Sequence, residues 1–146
     1  MDEQSIRLYA MSTAILNKRK SYYEVLEQTQ KNDSDITNWL IWFLDTLNDS
    51  LEKTLVQISR TLFKSQFWHK YSNLALSKEQ RKVLNRLLDG GENGFEHGIS
   101  ASQYQKVAEV SKATATRHLS DLLEKECIVK LEGGGRNTRY QINTQL

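Results

Sequence analysis

The sequence predicts a mainly α-helical chain, an N-terminal helical segment followed by a winged helix-turn-helix with a small two-stranded β-hairpin. Three observations predict it. The 146 residues contain no proline, and all seven glycines stand at or beyond Gly90, so only polar clusters interrupt helices in the first 89 residues. Apolar residues in that stretch recur near a 3.6-residue period. From Ser100 to Tyr140 the pattern becomes helix, tight turn, helix, then two short alternating segments around the tip Gly133-Gly134-Gly135-Arg136.

The first helix is expected from Ile6 to about Lys31, on Ile6, Tyr9, Ala10, Ala14, Leu16, Tyr22, Tyr23, Val25 and Leu26. A polar break from Gln30 to Ser34 follows, and Asp33, Ser34 and Asp35 are candidate N-caps for the next helix. That second helix carries Ile36, Trp39, Leu40, Ile41, Trp42, Phe43, Leu44 and Leu47 around most of its circumference. A surface helix needs only a stripe roughly 100° wide, so this part must be covered on more than one side. From Leu51 to Trp68 the pattern relaxes to a stripe of Leu51, Leu55, Ile58, Leu62, Phe63, Phe67 and Trp68. Two helices bury little, so residues 1–76 are expected to pack on another copy or on a domain outside this chain.

Residues 77–146 form the expected winged-helix domain. Ser77 with Gln80 three residues on has capping-box spacing, and the helix through Val83, Leu84, Leu87 and Leu88 stops at Gly90-Gly91. After a loop from Glu92 to Ile99, Ser100 caps a short helix with Tyr104, Val107 and Ala108. Ser111 caps the next, with Ala115, Leu119, Leu122 and Leu123. Strands are expected over Cys127 to Glu132 and Asn137 to Ile142.

Charge bounds the function weakly. Residues 1–76 hold nine basic and nine acidic side chains and residues 77–146 hold eleven and nine, so the net excess lies in the second part. The single cysteine, Cys127, excludes an internal disulfide, suits a reducing cytoplasm, and opens an apolar run as a small buried hydrophobe does. No signal-peptide h-region and no uncharged membrane-length run occur, so a soluble cytoplasmic protein with no membrane contact is expected.

In the Ser111 helix, Ala115, Leu119 and Leu122 form the inward line. The opposite face shows Lys112, Ala113, Thr114, Thr116, Arg117 and Ser120. Short and cationic groups in the first two turns suit the end of a recognition helix that meets base edges. Thr and Ala approach a thymine methyl, and Arg117 reaches a guanine or a phosphate. Arg136 and Arg139 flank the glycine tip where a wing would touch phosphate, and Gln103 and Lys106 add candidate phosphate contacts. The same residues also suit a solvated helix face and a plain hairpin with solubilising charges.

No enzyme signal emerges. His69, His97 and His118 lie far apart, and none pairs with another His or with Cys127 at metal-ligand spacing. The glycine run sits at a hairpin tip, not between a strand and a helix. No catalytic residue, metal or cofactor is expected.

The runs Arg19 to Gln30 and Asp35 to Leu44, together with Phe67-Trp68, Ala113-Thr114-Ala115-Thr116-Arg117 and Gly135-Arg136-Asn137-Thr138-Arg139-Tyr140, strongly resemble the C-terminal part of Fic family proteins. The resemblance spans about Leu8 to Ile142. It implies an architecture of an N-terminal helical region, a catalytic Fic core and a C-terminal winged helix. The core's loop, His-Pro-Phe-x-Asp-Gly-Asn-Gly-Arg, supports transfer of AMP from ATP to a protein hydroxyl. Here the histidines precede Lys70, Gly98 and Leu119, so no catalytic residue carries over. The resemblance implies that this chain corresponds to the segment after that loop and that the helix around Trp39 and Trp42 packs against the core. Related modules often place glycine where Glu126 stands, ending the recognition helix in left-handed geometry, which costs another residue about 1 kcal/mol.

The expected function is a non-catalytic, DNA-binding, transcription-regulatory winged-helix module of a Fic-like protein, with double-stranded DNA as partner. The alternative is a protein-interaction or dimerisation module regulating a Fic-type AMP-transferring enzyme. On that reading a homodimer or the Fic core is engaged through the Trp39/Trp42 helix.

Overall fold

Serine hydroxyls set the helix starts in the C-terminal part of the chain. The computed structural model describes residues 11–31, 35–90, 95, 97–132 and 138–145. Its elements are α1 (Arg19–Lys31), α2 (Thr37–Lys70), α3 (Lys78–Asp89), β1 (Ile99–Ser100), α4 (Ala101–Ala108), α5 (Lys112–Glu124), β2 (Ile128–Lys130) and β3 (Arg139–Ile142). The expected wing tip, including Gly133, Gly134, Gly135 and Arg136, lies outside the described residues. So do Ile6, Tyr9 and Ala10 and the candidate caps Asp33 and Ser34.

At α3, the Ser77 N–H donates to Gln80 Oε1 (2.8 Å) while the Gln80 N–H donates to Ser77 Oγ (3.2 Å), the expected capping box. Ser100 and Gln103 make the same reciprocal pair at α4. Ser111 Oγ accepts from the Thr114 N–H at α5. Each arrangement satisfies amide donors that a helix start leaves orphaned.

The chain divides into two compact units, Met1–Ser59 and Arg60–Leu146. The sequence patterning had placed the division at 76/77, seventeen residues later. The reason is that Phe67 and Tyr71, at the end of α2 and just beyond it, are buried in the same cluster as Val83, Leu84 and Ile99. Trp68 Nε1 donates to Asn85 Oδ1 (3.1 Å), and the Tyr71 hydroxyl donates to the Glu126 carbonyl (2.7 Å).

In the second unit, α3, α4 and α5 close over a three-stranded antiparallel sheet of order β1-β3-β2. Ile99 pairs with Tyr140 and Ser100 with Arg139, while Ile128 pairs with Ile142 and Lys130 with Tyr140. The expected hairpin is therefore widened by a third strand, in residues assigned by sequence to a loop and a cap. Val83, Leu84, Leu87 and Leu88 from α3 meet Tyr104 and Ala108 from α4, and Ala115, Leu119 and Leu122 from α5. Ile99, Cys127, Ile128 and Ile142 complete the core. Each large aliphatic side chain so buried contributes roughly 1.5–3 kcal/mol. Gly98 enables the β1–β3 approach: its φ is +74°, and a Cβ there would lie 2.7 Å from the Tyr140 carbonyl oxygen.

α5 ends in left-handed geometry at Glu126, a position where the resemblance implies glycine. Glu126 adopts φ 55°, the Glu126 N–H donates to the Leu123 carbonyl and the Cys127 N–H to the Leu122 carbonyl, which together form a Schellman motif. Carbonyl bonds from the Tyr71 hydroxyl and Asn143 Nδ2 hold Glu126 in this left-handed conformation. Cys127 is fully buried, and burial pushes its thiol up to about 11.

The first unit is built differently. Helical geometry over 11–17 is interrupted by a turn at Lys18 before α1, whereas one continuous helix was expected. Lys18 pairs with Asp49, and Trp42 Nε1 donates to Ser21 Oγ (3.0 Å) with its ring 5.4 Å from that of Tyr22. Leu16 and Tyr23, expected on the packed stripe, are exposed. Among the described residues of this unit the buried ones are Thr46 and Ser50, both polar, and there the Thr46 hydroxyl has no hydrogen-bond partner.

Candidate nucleic-acid interface

The exposed face of α5 follows from its buried one. Ala115, Leu119 and Leu122, at spacings of four and three, turn into the core. Ala113, Arg117 and Ser120 fall opposite that line, whereas Lys112, seven residues before Leu119, is exposed because it opens the helix, and Thr116 is exposed between them. Thr114 is half-buried, and its hydroxyl lies 2.9 Å from Ser111 Oγ, so it extends the cap. The Thr116 hydroxyl donates back to the Lys112 carbonyl (3.1 Å) and leaves its methyl on the outer face.

Among the described residues, three cations of the unit are ion-paired, while others, among them Lys78, Arg86 and Lys130, are not. Lys64 pairs with Asp89, Lys82 with Glu109, and Lys125 with Asp121. Among the described residues, no ion pair involves Lys106, Lys112 or Arg117, and all three are exposed. The acidic groups nearby are occupied elsewhere. Hydrogen bonds from Lys125 and then from Gln80 hold the Asp121 carboxyl below the usual carboxylate range. Gln80 Nε2 reaches it at 2.6 Å while Gln80 Oε1 caps α3, so one nearly buried amide links the start of α3 to α5. The Lys82 ammonium lowers Glu109 in the same sense. The outer face of the first two turns of α5 therefore carries uncompensated positive charge.

The other sequence-derived candidates fall in distinct places. Gln103 Oε1 is committed to the Ser100 N–H, which assigns that amide oxygen to capping. Lys106 projects from α4. Arg139 is exposed on β3, and its guanidinium donates to the Gly98 carbonyl (3.0 Å), bracing the β1–β3 pair. Arg136 lies outside the described residues. Sequence reasoning missed the Gln80–Asp121 link and the bond between the buried Tyr104 hydroxyl and His118 Nδ1 (3.0 Å). Burial pushes the Tyr104 phenol well up, so it remains a neutral hydroxyl that fixes the His118 ring from behind α5. Both links join helices through side chains far apart in sequence, and nothing in local spacing marks them.

Trp39 and Trp42 are half-buried within the first unit, Trp39 stacked on Phe43 at 5.3 Å and Trp42 against Tyr22. The strongly exposed apolar residues of α2 are others, among them Leu44, Leu51 and Leu55. Among the described residues, no three His, Cys, Asp or Glu side chains converge to hold a metal, and no helix is long and apolar enough to cross a membrane. No family model matches the chain, and no curated protein matches it in sequence.

Proposed function

We propose that residues 60–146 bind double-stranded DNA through the exposed face of α5, as a non-catalytic regulatory module. The observation that supports this reading is the exposure of Lys112 and Arg117, without ion pairs among the described residues, beside small side chains in the first two turns of a rigidly backed helix. Lys112 contacts phosphate, Arg117 contacts a phosphate or a guanine edge, and Ala113 with the Thr116 methyl meets thymine methyl groups. Lys106 and Arg136 add phosphate contacts, while Arg139 divides its donors between Gly98 and the backbone of DNA.

The Lys112→Ala/Arg117→Ala variant tests the assignment. It is expected to weaken binding to duplex DNA by roughly tenfold or more, as loss of two such contacts requires. The unfolding transition should not move, because both side chains are exposed. Undiminished binding at physiological salt would refute this face as the contact surface.

A second reading has its own support in the apolar residues exposed on α2. The resemblance to the C-terminal part of Fic proteins, carried by the strings quoted above, makes the chain a docking or dimerisation unit of a Fic-type AMP-transferring system. The two readings concern different units of the chain and are compatible.

A further inference from the structure

Most of the exposed apolar residues of α2 are ordered, with Val56 outside the series. Ile41, Leu44, Leu51, Leu55 and Ile58 follow one another at steps of three and four once Asn48 is included in the series. Each of these five apolar side chains lies between 48% and 64% exposed. Leu62, also exposed, is the next member on the same helix. This is a heptad seam: Ile41, Asn48 and Leu55 occupy one core position, and Leu44, Leu51 and Ile58 the other. At 100° per residue the seam lies on the side of the helix opposite Thr46, which is fully buried. The packed back and the free seam are thus two faces of one helix.

We infer that this seam is the contact surface for a second copy of the chain, paired as a parallel, in-register, two-stranded coiled coil. Asn48 argues for the copy and for the register. Its Nδ2 donates to Glu52 Oε1 (3.0 Å) on its own helix, and the residue is exposed. Against an apolar partner surface its Nδ2 keeps Glu52, but its Oδ1 would lose water with no donor in return, at a cost in free energy. At the same height on a second copy it meets another Asn48, amide to amide, which is how a single polar core residue specifies register and a two-stranded state. Ile41 and Leu44 have the identities that favour two strands, whereas Leu55 and Ile58 reverse them, so Asn48 decides the number of strands.

Charge sets the orientation. One edge of the seam carries Asp45, Glu52 and Ser59, and the other carries Leu40, Leu47 and Thr54. A parallel pair brings opposite edges together, so each acidic residue meets a leucine stem. An antiparallel pair would set the acidic edge of one copy against the acidic edge of the other, which is unfavourable. The contact is also large enough. At about 100 Å² for each seam layer with its flanks, the layers from Ile41 to Leu62 bury on the order of 700 Å² per chain, close to the ~800 Å² per partner of a stable interface.

Sedimentation equilibrium of the full chain tests the inference independently of any DNA binding. The expected mass is twice the 16.9 kDa of one chain. The Leu51→Glu/Leu55→Glu variant should sediment as a monomer with its helicity retained, since both side chains are exposed in a single chain. Orientation is read separately from the Leu44→Cys variant, oxidised under native conditions. A parallel pair cross-links to a disulfide dimer, with the wild type as control because Cys127 is buried. A wild-type chain that remains monomeric at all concentrations, as a face reserved for some other domain would, overturns the inference. So does a dimer that persists in the double glutamate variant or a Leu44→Cys dimer that fails to cross-link. If the glutamate variant does not fold, the cross-link alone decides.

Discussion

The two units of this chain distribute apolar surface in opposite ways. All fifteen buried hydrophobic residues among the described positions, from Phe67 to Ile142, belong to Arg60–Leu146. Of the twelve large hydrophobics left exposed among the described residues, ten belong to Met1–Ser59, whose described buried residues are Thr46 and Ser50. Composition does not separate them, because both parts are rich in Leu and Ile. What separates them is topology: three helices and a sheet can enclose side chains from several directions, whereas a helical hairpin has one inner face and must leave the other open. Among the described residues, the second unit encloses its apolar side chains and the first leaves a row of them exposed on α2.

Truncating a core residue sharpens this contrast most. Phe67→Ala removes a fully buried ring in contact with Trp68 and Tyr71, and should destabilise the second unit by about 3–5 kcal/mol. Amide exchange across residues 60–146 reads that loss directly. Leu55→Ala, a comparable truncation on the exposed part of α2, should shift the exchange of the same residues by no more than ~0.5 kcal/mol. Equal effects from the two substitutions would erase the distinction between the units.

A smaller and opposite effect is expected at the end of α5. Glu126 holds φ 55°, so Glu126→Gly should raise the stability of the second unit by about 1 kcal/mol, measured by urea denaturation. Destabilisation instead would mean that the Glu126 side chain contributes more than the left-handed backbone costs.

The smallest effect is the dependence on acid. Hydrogen bonds from Lys125 and Gln80 lower Asp121, the Ser77 side chain lowers Glu79, and Lys82 lowers Glu109. A carboxyl depressed in the folded state stabilises fully above its ordinary value of about 4 and loses that contribution as the pH falls through its folded value. The urea midpoint of the second unit should therefore decline below about pH 4. Asp121→Asn should flatten part of that decline. All three carboxyls lie near solvent, which keeps the change modest. A midpoint that rises on acidification would contradict the sign.

Much of this arrangement is legible in the sequence because its causes are local. Serine caps at 77, 100 and 111 are read from residue type and a three-residue offset, whereas the sequence leaves open whether Glu126 takes the left-handed geometry that the resemblance implies for a glycine there. The features that are not legible depend on distant partners. β1 is two residues long and is defined only by its pairing with β3, so Ile99 and Ser100 carry no alternation to detect. The unit boundary at Ser59/Arg60 falls inside an unbroken helix and is set by where Phe67 and Tyr71 find their neighbours. The candidate interface divides in the same way. Arg117 is placed opposite the buried line by helical period, whereas Lys112 is exposed by its place at the start of the helix. The commitments of Gln103 to Ser100 and of Arg139 to Gly98 became visible only with the chain folded.

The proposed DNA contact is the central functional claim, and its salt dependence tests it most directly. Fluorescence anisotropy of labelled random duplex DNA, titrated with the full chain at several salt concentrations, gives the slope of log affinity against log salt. Several phosphate contacts from Lys106, Lys112, Arg117 and Arg139 predict a steep negative slope, close to −0.9 for each phosphate neutralised. Arg117→Ala should reduce its magnitude by about 1 if that residue holds a phosphate. No binding at low salt, or binding indifferent to salt, would contradict the account and leave the outer face of α5 as an ordinary solvated surface.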